Sequence, residues 1–216
     1  MQKHNQIIAD WLLEHSAEIE QGKIRVLVED ECHLKGGDIC GRGWANRKQR
    51  LDVKVKNYLD SKTYYGALNC QSGEMLLQSY LTANTTSTIK FIRELLAQDP
   101  NSKILLIWDG ASHHRSQEFR AFLTQINQDA LQRVASEAVG ATQLLDWKVH
   151  CLRFAGDAPK ENPIENVWGQ RKQTLRLMYL RCRSFKFTTL LFEMLVKHQL
   201  FSLPNLSEHN AFSNLI

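Results

Sequence analysis

The run Ile104–Trp108 is apolar without a break and sits between two segments of helical periodicity. So short a run cannot cross a bilayer and is too short for a buried helix, so it reads as a strand, Lys103–Trp108, buried on both faces. The helix before it covers about Thr86 to Ala97, and the helix after His114 carries Phe119, Phe122 and Leu123 on one face. A strand covered from both sides belongs to an α/β sheet. Upstream, Ile24–Val28 is a β-branched run that ends in Glu29, Asp30 and Glu31, followed by a Gly-rich loop. Val53–Val55, Thr63–Leu68 and Met75–Tyr80 read as short strands, with a turn from Asn69 to Glu74 containing Ser72-Gly73. Downstream come a further helical segment over Gln128–Leu145, a last strand Val149–Phe154, a helix from Pro163 and another over Phe187–Leu200. Ile7, Ile8, Trp11, Leu12 and His15 make residues 6–20 an amphipathic helix. The sum predicts a mixed α/β sheet flanked by helices in one domain, 23–216, behind a linker helix, 1–22.

At 216 residues the chain can bury one good core, and 43% hydrophobic with 23% charged residues describes a globular protein. Residues 1–20 lack the basic-then-apolar layout of a signal peptide, so a cytoplasmic location without a membrane partner is expected. Five cysteines, Cys32, Cys40, Cys70, Cys151 and Cys182, form no CxxC pair, which argues for reduced thiols rather than a disulfide framework. Cys32, His33 and Cys40 lack a fourth zinc ligand at sensible spacing.

The net charge of +4 is unevenly spread. Arg171, Lys172, Arg176, Arg181, Arg183 and Lys186 lie in a stretch with no acid from Asn166 to Phe192. A second cluster holds Arg42, Arg47, Lys48, Arg50, Lys54 and Lys56 against the single acid Asp52. Such stripes suit a phosphate backbone, and equally a solvated face.

Three acids stand where α/β sheets place ligands: Asp30 closing the first strand, Asp109 closing Ile104–Trp108, and Glu165 opening a helix. Each has a plain structural reading as well. Asp109 before Gly110 suits a turn, Asp30 a solvated strand end, and Glu165 the third position of a capping box started by Asn162 and Pro163. Together they suit two Mg²⁺ ions, which need carboxylates from several elements and open positions for water and phosphate oxygens.

Val28-Glu29-Asp30-Glu31, Trp108-Asp109-Gly110-Ala111-Ser112-His113-His114 and Ala158-Pro159-Lys160-Glu161-Asn162-Pro163-Ile164-Glu165-Asn166-Val167-Trp168 closely resemble the three catalytic blocks of DDE transposases. The branch they resemble is the bacterial insertion-sequence group of the mariner superfamily. The similarity runs from about Ile24 to Lys172 and includes Gly41 to Trp44 and Tyr64-Tyr65-Gly66-Ala67. It implies an RNase H-like fold with Asp30, Asp109 and Glu165 as a catalytic triad holding two Mg²⁺, with Mn²⁺ as a substitute. The reaction implied is hydrolytic cleavage at element ends, then attack of the freed 3′-hydroxyl on target DNA. It also implies DNA partners, a homodimer and a nucleoid-associated bacterial protein.

Two features depart from the family pattern. Fifty-five residues separate Asp109 from Glu165, longer than usual, with the extra length expected around 128–145. Only about 23 residues precede the first strand, so the helix-turn-helix modules are expected to be absent and an assembly with a full-length or upstream transposase product is expected. His114 matches a family histidine expected to orient a carboxylate or touch phosphate, with a helix-capping surface residue as the alternative. His113 is expected to be structural. Glu31 is a candidate supporting acid that strand alternation turns away from Asp30. Trp44 and Trp168 suit base stacking or the core. Arg171, Lys172, Arg176, Arg47 and Lys48 are the candidate DNA contacts. A nuclease that cleaves without joining and an inactive remnant that binds DNA or inhibits a full-length transposase are the alternative functions.

Overall fold

A computed structural model of the protein describes residues 2–39, 46–48, 58–137, 147–155, 161–178, 181–182, 184–197 and 212. Its sheet comprises β1 (Ile24–Lys35), β2 (Ser61–Asn69), β3 (Met75–Tyr80), β4 (Lys103–Trp108) and β5 (Val149–Arg153), in the spatial order β3-β2-β1-β4-β5. β1–β2 and β2–β3 are antiparallel, whereas β4 runs parallel to both β1 and β5. The mixed sheet expected from the sequence is therefore present. The helices are α1 (Gln2–Glu14), α2 (Ser16–Glu20), α3 (Thr85–Gln98), α4 (Gln117–Glu137), α5 (Pro163–Leu177) and α6 (Phe185–Lys197).

Alternation along β1 divides the core. Val26 and Val28 join Tyr64, Ile107, Ile164, Trp168 and Phe192 on the face covered by α5 and α6. Leu27 joins Tyr65, Phe91, Ile92, Leu106, Trp108 and Phe119 under α3 and α4. Fully burying side chains of this kind contributes roughly 1.5–3 kcal/mol each. Because successive side chains point to opposite faces, Asp30 continues the α5 face while Glu29 and Glu31 continue the α3/α4 face.

The segment read as a linker helix places Ile8, Leu12 and Ile19 in the first of these clusters. Trp11 stacks on His150 of β5, ring centroids 5.4 Å apart, and Asn5 Nδ2 donates to Glu161 Oε2 at 2.9 Å, just before α5.

Two boundaries differ from expectation. β1 runs five residues past Asp30, because β2 continues to supply an antiparallel ladder as far as Lys35↔Ser61 after β4 has ended. Asp30 thus lies inside a strand and does not close it. Residues 128–137 continue α4 and do not start a separate helix; residues 138–146, Val53–Val55 and Gly41–Trp44 lie outside the described residues. Among the described residues no helix is long and apolar enough to cross a membrane.

Candidate active site

The site is set by where β1 and β4 part. Their parallel register ends at Val28↔Ile107, and two residues further on come Asp30, still within β1, and Asp109, just past the end of β4. Both acids therefore lie at the same level, beyond the C-terminal end of the parallel pair, the edge where α/β sheets bind ligands. Asp109 turns the chain there: its Oδ1 accepts from the Ala111 amide at 2.8 Å. The turn reading of Asp109 therefore holds. Its side chain remains 54% exposed and so accessible to a ligand.

Asp30 is tied to the helix that carries the third acid. Trp168 Nε1 donates to Asp30 Oδ2 at 3.0 Å, and Trp168 lies three residues after Glu165 on α5, hence on the same helical side. The indole needs space over β2, and Gly66, the register partner of Asp30, provides it. A Cβ at Gly66 would fall 2.5 Å from the Trp168 ring and 2.6 Å from Met75 Cε. The aromatic expected to stack on bases or fill the core is buried and also bonded to the central acid.

Glu165 is exposed in the first turn of α5. The N-cap is made by Asn162, whose Oδ1 accepts from the Ile164 amide at 3.2 Å. Among the described residues Glu165 makes no side-chain hydrogen bond, so the reciprocal half of the capping box is not formed and its carboxylate is available. Burial, followed by the charges of Glu165, Glu31 and Asp109, pushes Asp30 up to about 8, against the Trp168 N–H. This is an excess of negative charge that a cation would relieve. The ligand atoms of Asp30, Asp109 and Glu165 do not all lie within 4.8 Å of one another; among the described residues only Glu31, His113 and His114 do so.

The opposite face of β1 carries that second group. His113 Nε2 lies 2.7 Å from Glu31 Oε1, so the histidine expected to be structural is paired with an acid 82 positions away. His114 is buried in a short 3₁₀ turn, Ser112–Arg115, and stacks on Trp108 with centroids 4.0 Å apart. Its Nδ1 faces Asp109 Oδ1 at 3.3 Å. His114 holds Asp109 below the ordinary carboxylate range, and despite burial His114 itself is held up at about 9 by Asp109 and Glu31. Burial alone would raise Glu31, but His113 and His114 hold it down at about 2. Burial, then Glu31, Asp30 and Asp109, push Glu29 well above the usual range.

The basic residues separate by helical side. Arg171 follows Ile164, Val167 and Trp168 on the buried side of α5 and is only 2% exposed, with Nη1 donating to Gln170 Oε1 at 3.1 Å. It is therefore not the surface phosphate contact expected. Arg171→Ala is expected to cost about 1–3 kcal/mol of stability, read by thermal unfolding, with the salt dependence of DNA binding unchanged. Lys172 and Arg176 follow Glu165 by seven and eleven positions, on its side of the helix, and Lys172 Nζ also donates to the His33 carbonyl at 3.1 Å. Arg47 and Lys48 are exposed.

A mixed sheet in this order, with helices on both faces and acids beyond the end of its β1–β4 parallel pairing, defines an RNase H-like domain. Residues 25–185 match the family described as DDE superfamily endonuclease, and the chain belongs to that family. Its fold is similar to that of the Mos1 transposase paired-end complex with left transposon end, with a TM-score of 0.56 and 12% identity over 98% of this chain and 58% of that one. For the Mos1 mariner paired end complex with Mn the values are 0.55, 13%, 98% and 58%. For the Mos1 transposase catalytic domain with Raltegravir and Mn they are 0.54, 12%, 98% and 87%. At these identities the likeness is one of fold, and the chain spans just under three fifths of the transposase chains in the paired-end complexes. No curated protein matches it in sequence.

Proposed function

We propose that this domain is the catalytic part of a DNA transposase of the mariner type, cleaving DNA strands and joining the freed ends to target DNA, with Asp30, Asp109 and Glu165 as its catalytic acids. The observation that carries the reading is the Asp30–Trp168 bond, which ties the central acid of β1 to the helix bearing Glu165 while Asp109 comes level with Asp30 just past the neighbouring strand. The family match and the fold shared with transposases recorded on transposon ends and with Mn support it.

The donor set is three carboxylates, one of them destabilised as an anion by burial and by its neighbours, which suits hard divalent cations such as Mg²⁺ or Mn²⁺. Two ions divide such ligands between them, so acids serving different ions need not all come within 4.8 Å. When bound, the ions polarise the phosphodiester and favour the deprotonated nucleophile. The chain itself does the positioning. Trp168 fixes Asp30, the Ala111 amide and His114 fix Asp109, and the first turn of α5 presents Glu165 outward.

In cleavage, a water oxygen bonds to phosphorus as the P–O3′ bond breaks, leaving a 3′-hydroxyl. In joining, that 3′-oxygen bonds to a target phosphorus as the target's P–O3′ bond breaks. A strand-transfer assay with pre-cut ends and Mg²⁺ tests the reading. Joined products are expected; cleavage of intact ends without joining identifies a nuclease, and DNA binding without products identifies an inhibitory remnant.

Lys172 and Arg176, beside Glu165, would track the phosphate backbone. Each changed to Ala is expected to lower the slope of log affinity against log salt by about 0.9, measured by binding titrations. Unchanged slopes would remove the α5 ridge from the interface.

A further inference from the structure

The α3/α4 face of β1 holds a set of ligand groups of which the carboxylate chemistry uses only His114, through its Nδ1 against Asp109. His113 Nε2 is 2.7 Å and His114 Nε2 3.6 Å from Glu31 Oε1, and all three atoms lie within 4.8 Å of one another. Glu29 lies beside this group and outside it, its Oε2 3.8 Å from His114 Nε2. The Glu29 residue is 1% exposed, and neither carboxylate oxygen has a hydrogen-bond partner. Neither ring nitrogen of His114 makes a well-formed hydrogen bond. The two Glu29 oxygens and His114 Nε2 are thus buried polar atoms without a hydrogen bond, which is costly unless a nearby charge satisfies them.

We propose that Glu31, His113 and His114 form a three-ligand binding site for a divalent transition metal of the zinc type, distinct from the site of Asp30 and Glu165, with water in the fourth position. Two imidazoles and a carboxylate oxygen form a donor set that zinc accepts and magnesium does not favour. Ligand atoms about 2.0–2.2 Å from a tetrahedral ion stand roughly 3.3–3.6 Å apart. The His114–Glu31 separation of 3.6 Å already lies at the upper end of this range, and the His113–Glu31 contact must open by under ~1 Å. Asp109 faces the other nitrogen of His114, the arrangement in which a carboxylate orients a metal-binding imidazole. The ion would clamp β1 to the turn after β4 and so hold Asp109 in place. The inference stands whether or not the domain transfers strands.

Cobalt(II), which reports its ligand field in the visible spectrum, is the probe, titrated into the full chain. The expected result is a saturable four-coordinate band that zinc displaces and magnesium does not, retained in Asp30→Asn and Glu165→Gln and lost in His113→Ala and Glu31→Gln. Circular dichroism establishes that the variants are folded. If they are not, zinc-edge absorption of the parent chain decides, with imidazole scattering expected. The proposal is overturned by the absence of a band in the parent chain, by displacement with magnesium, by persistence in folded His113→Ala, by loss in Asp30→Asn, or by a zinc edge without imidazole.

Discussion

Glu165→Gln is expected to fold like the parent chain and to lower strand cleavage by at least about 10²–10³-fold, the scale seen when one electrostatic stabiliser of a transition state is removed. The side chain is exposed and the N-cap belongs to Asn162, so no packing or capping bond is lost with the charge. Gln keeps the length but gives up the anion near the helix N-terminus, worth about 0.3–1 kcal/mol at an exposed site. A small drop in unfolding temperature should therefore accompany the large loss of cleavage, read on a labelled duplex in Mg²⁺. Undiminished cleavage would remove Glu165 from the catalytic set. A variant that fails to fold would make it a structural residue of α5.

Much of the scaffold was legible because its signals are local. Met75–Tyr80 and Lys103–Trp108 have the expected bounds, since alternation, an apolar run and flanking turn residues delimit them without help from the rest of the chain. β1 is longer than its local pattern implies because its length is decided by a partner. Glu29, Asp30 and Glu31 look like the end of a strand, and only the ladder to β2 carries the strand through them to Lys35. The break expected near Gln128 has a similar origin: α4 continues to Glu137, where periodicity alone suggested a new segment.

In the candidate site, the positions of Asp30, Asp109 and Glu165 were legible as motif residues, but their supports were not. That Trp168 bonds Asp30 is a relation across 138 positions, and its only local trace is the spacing of three from Glu165. Arg171 illustrates the limit of counting charges. It lies in an acid-free basic stretch, yet the stripe of Ile164, Val167, Trp168 and Leu175 places it on the buried side of α5. That stripe was available in the sequence and would have separated Arg171 from Lys172. The pairing of Glu31 with His113 had no such trace.

Gly66→Ala tests the support of the proposed triad without touching any acid, and is expected to weaken both stability and cleavage. The new Cβ would stand 2.5 Å from two Trp168 ring carbons, closer than such atoms can approach, and 2.6 Å from Met75 Cε. Met75 is flexible and can yield, but Trp168 is a buried ring, so the strain falls on α5. Overpacking of this kind costs about 1–3 kcal/mol, measurable in denaturant unfolding. A shift of the indole also breaks its bond to Asp30 and moves the helix turn carrying Glu165, and misplacement by about 1 Å can cost on the order of 10²-fold in rate. Trp168→Phe separates the two effects, because it removes the N–H donor while keeping most of the ring. It should lose less stability than Gly66→Ala and still lower cleavage. If Gly66→Ala loses stability but, at a temperature where it is fully folded, cleaves as fast as the parent, Trp168 fills space without positioning Asp30. If both variants lose cleavage while folded, the Asp30–Trp168 bond is part of what aligns the site.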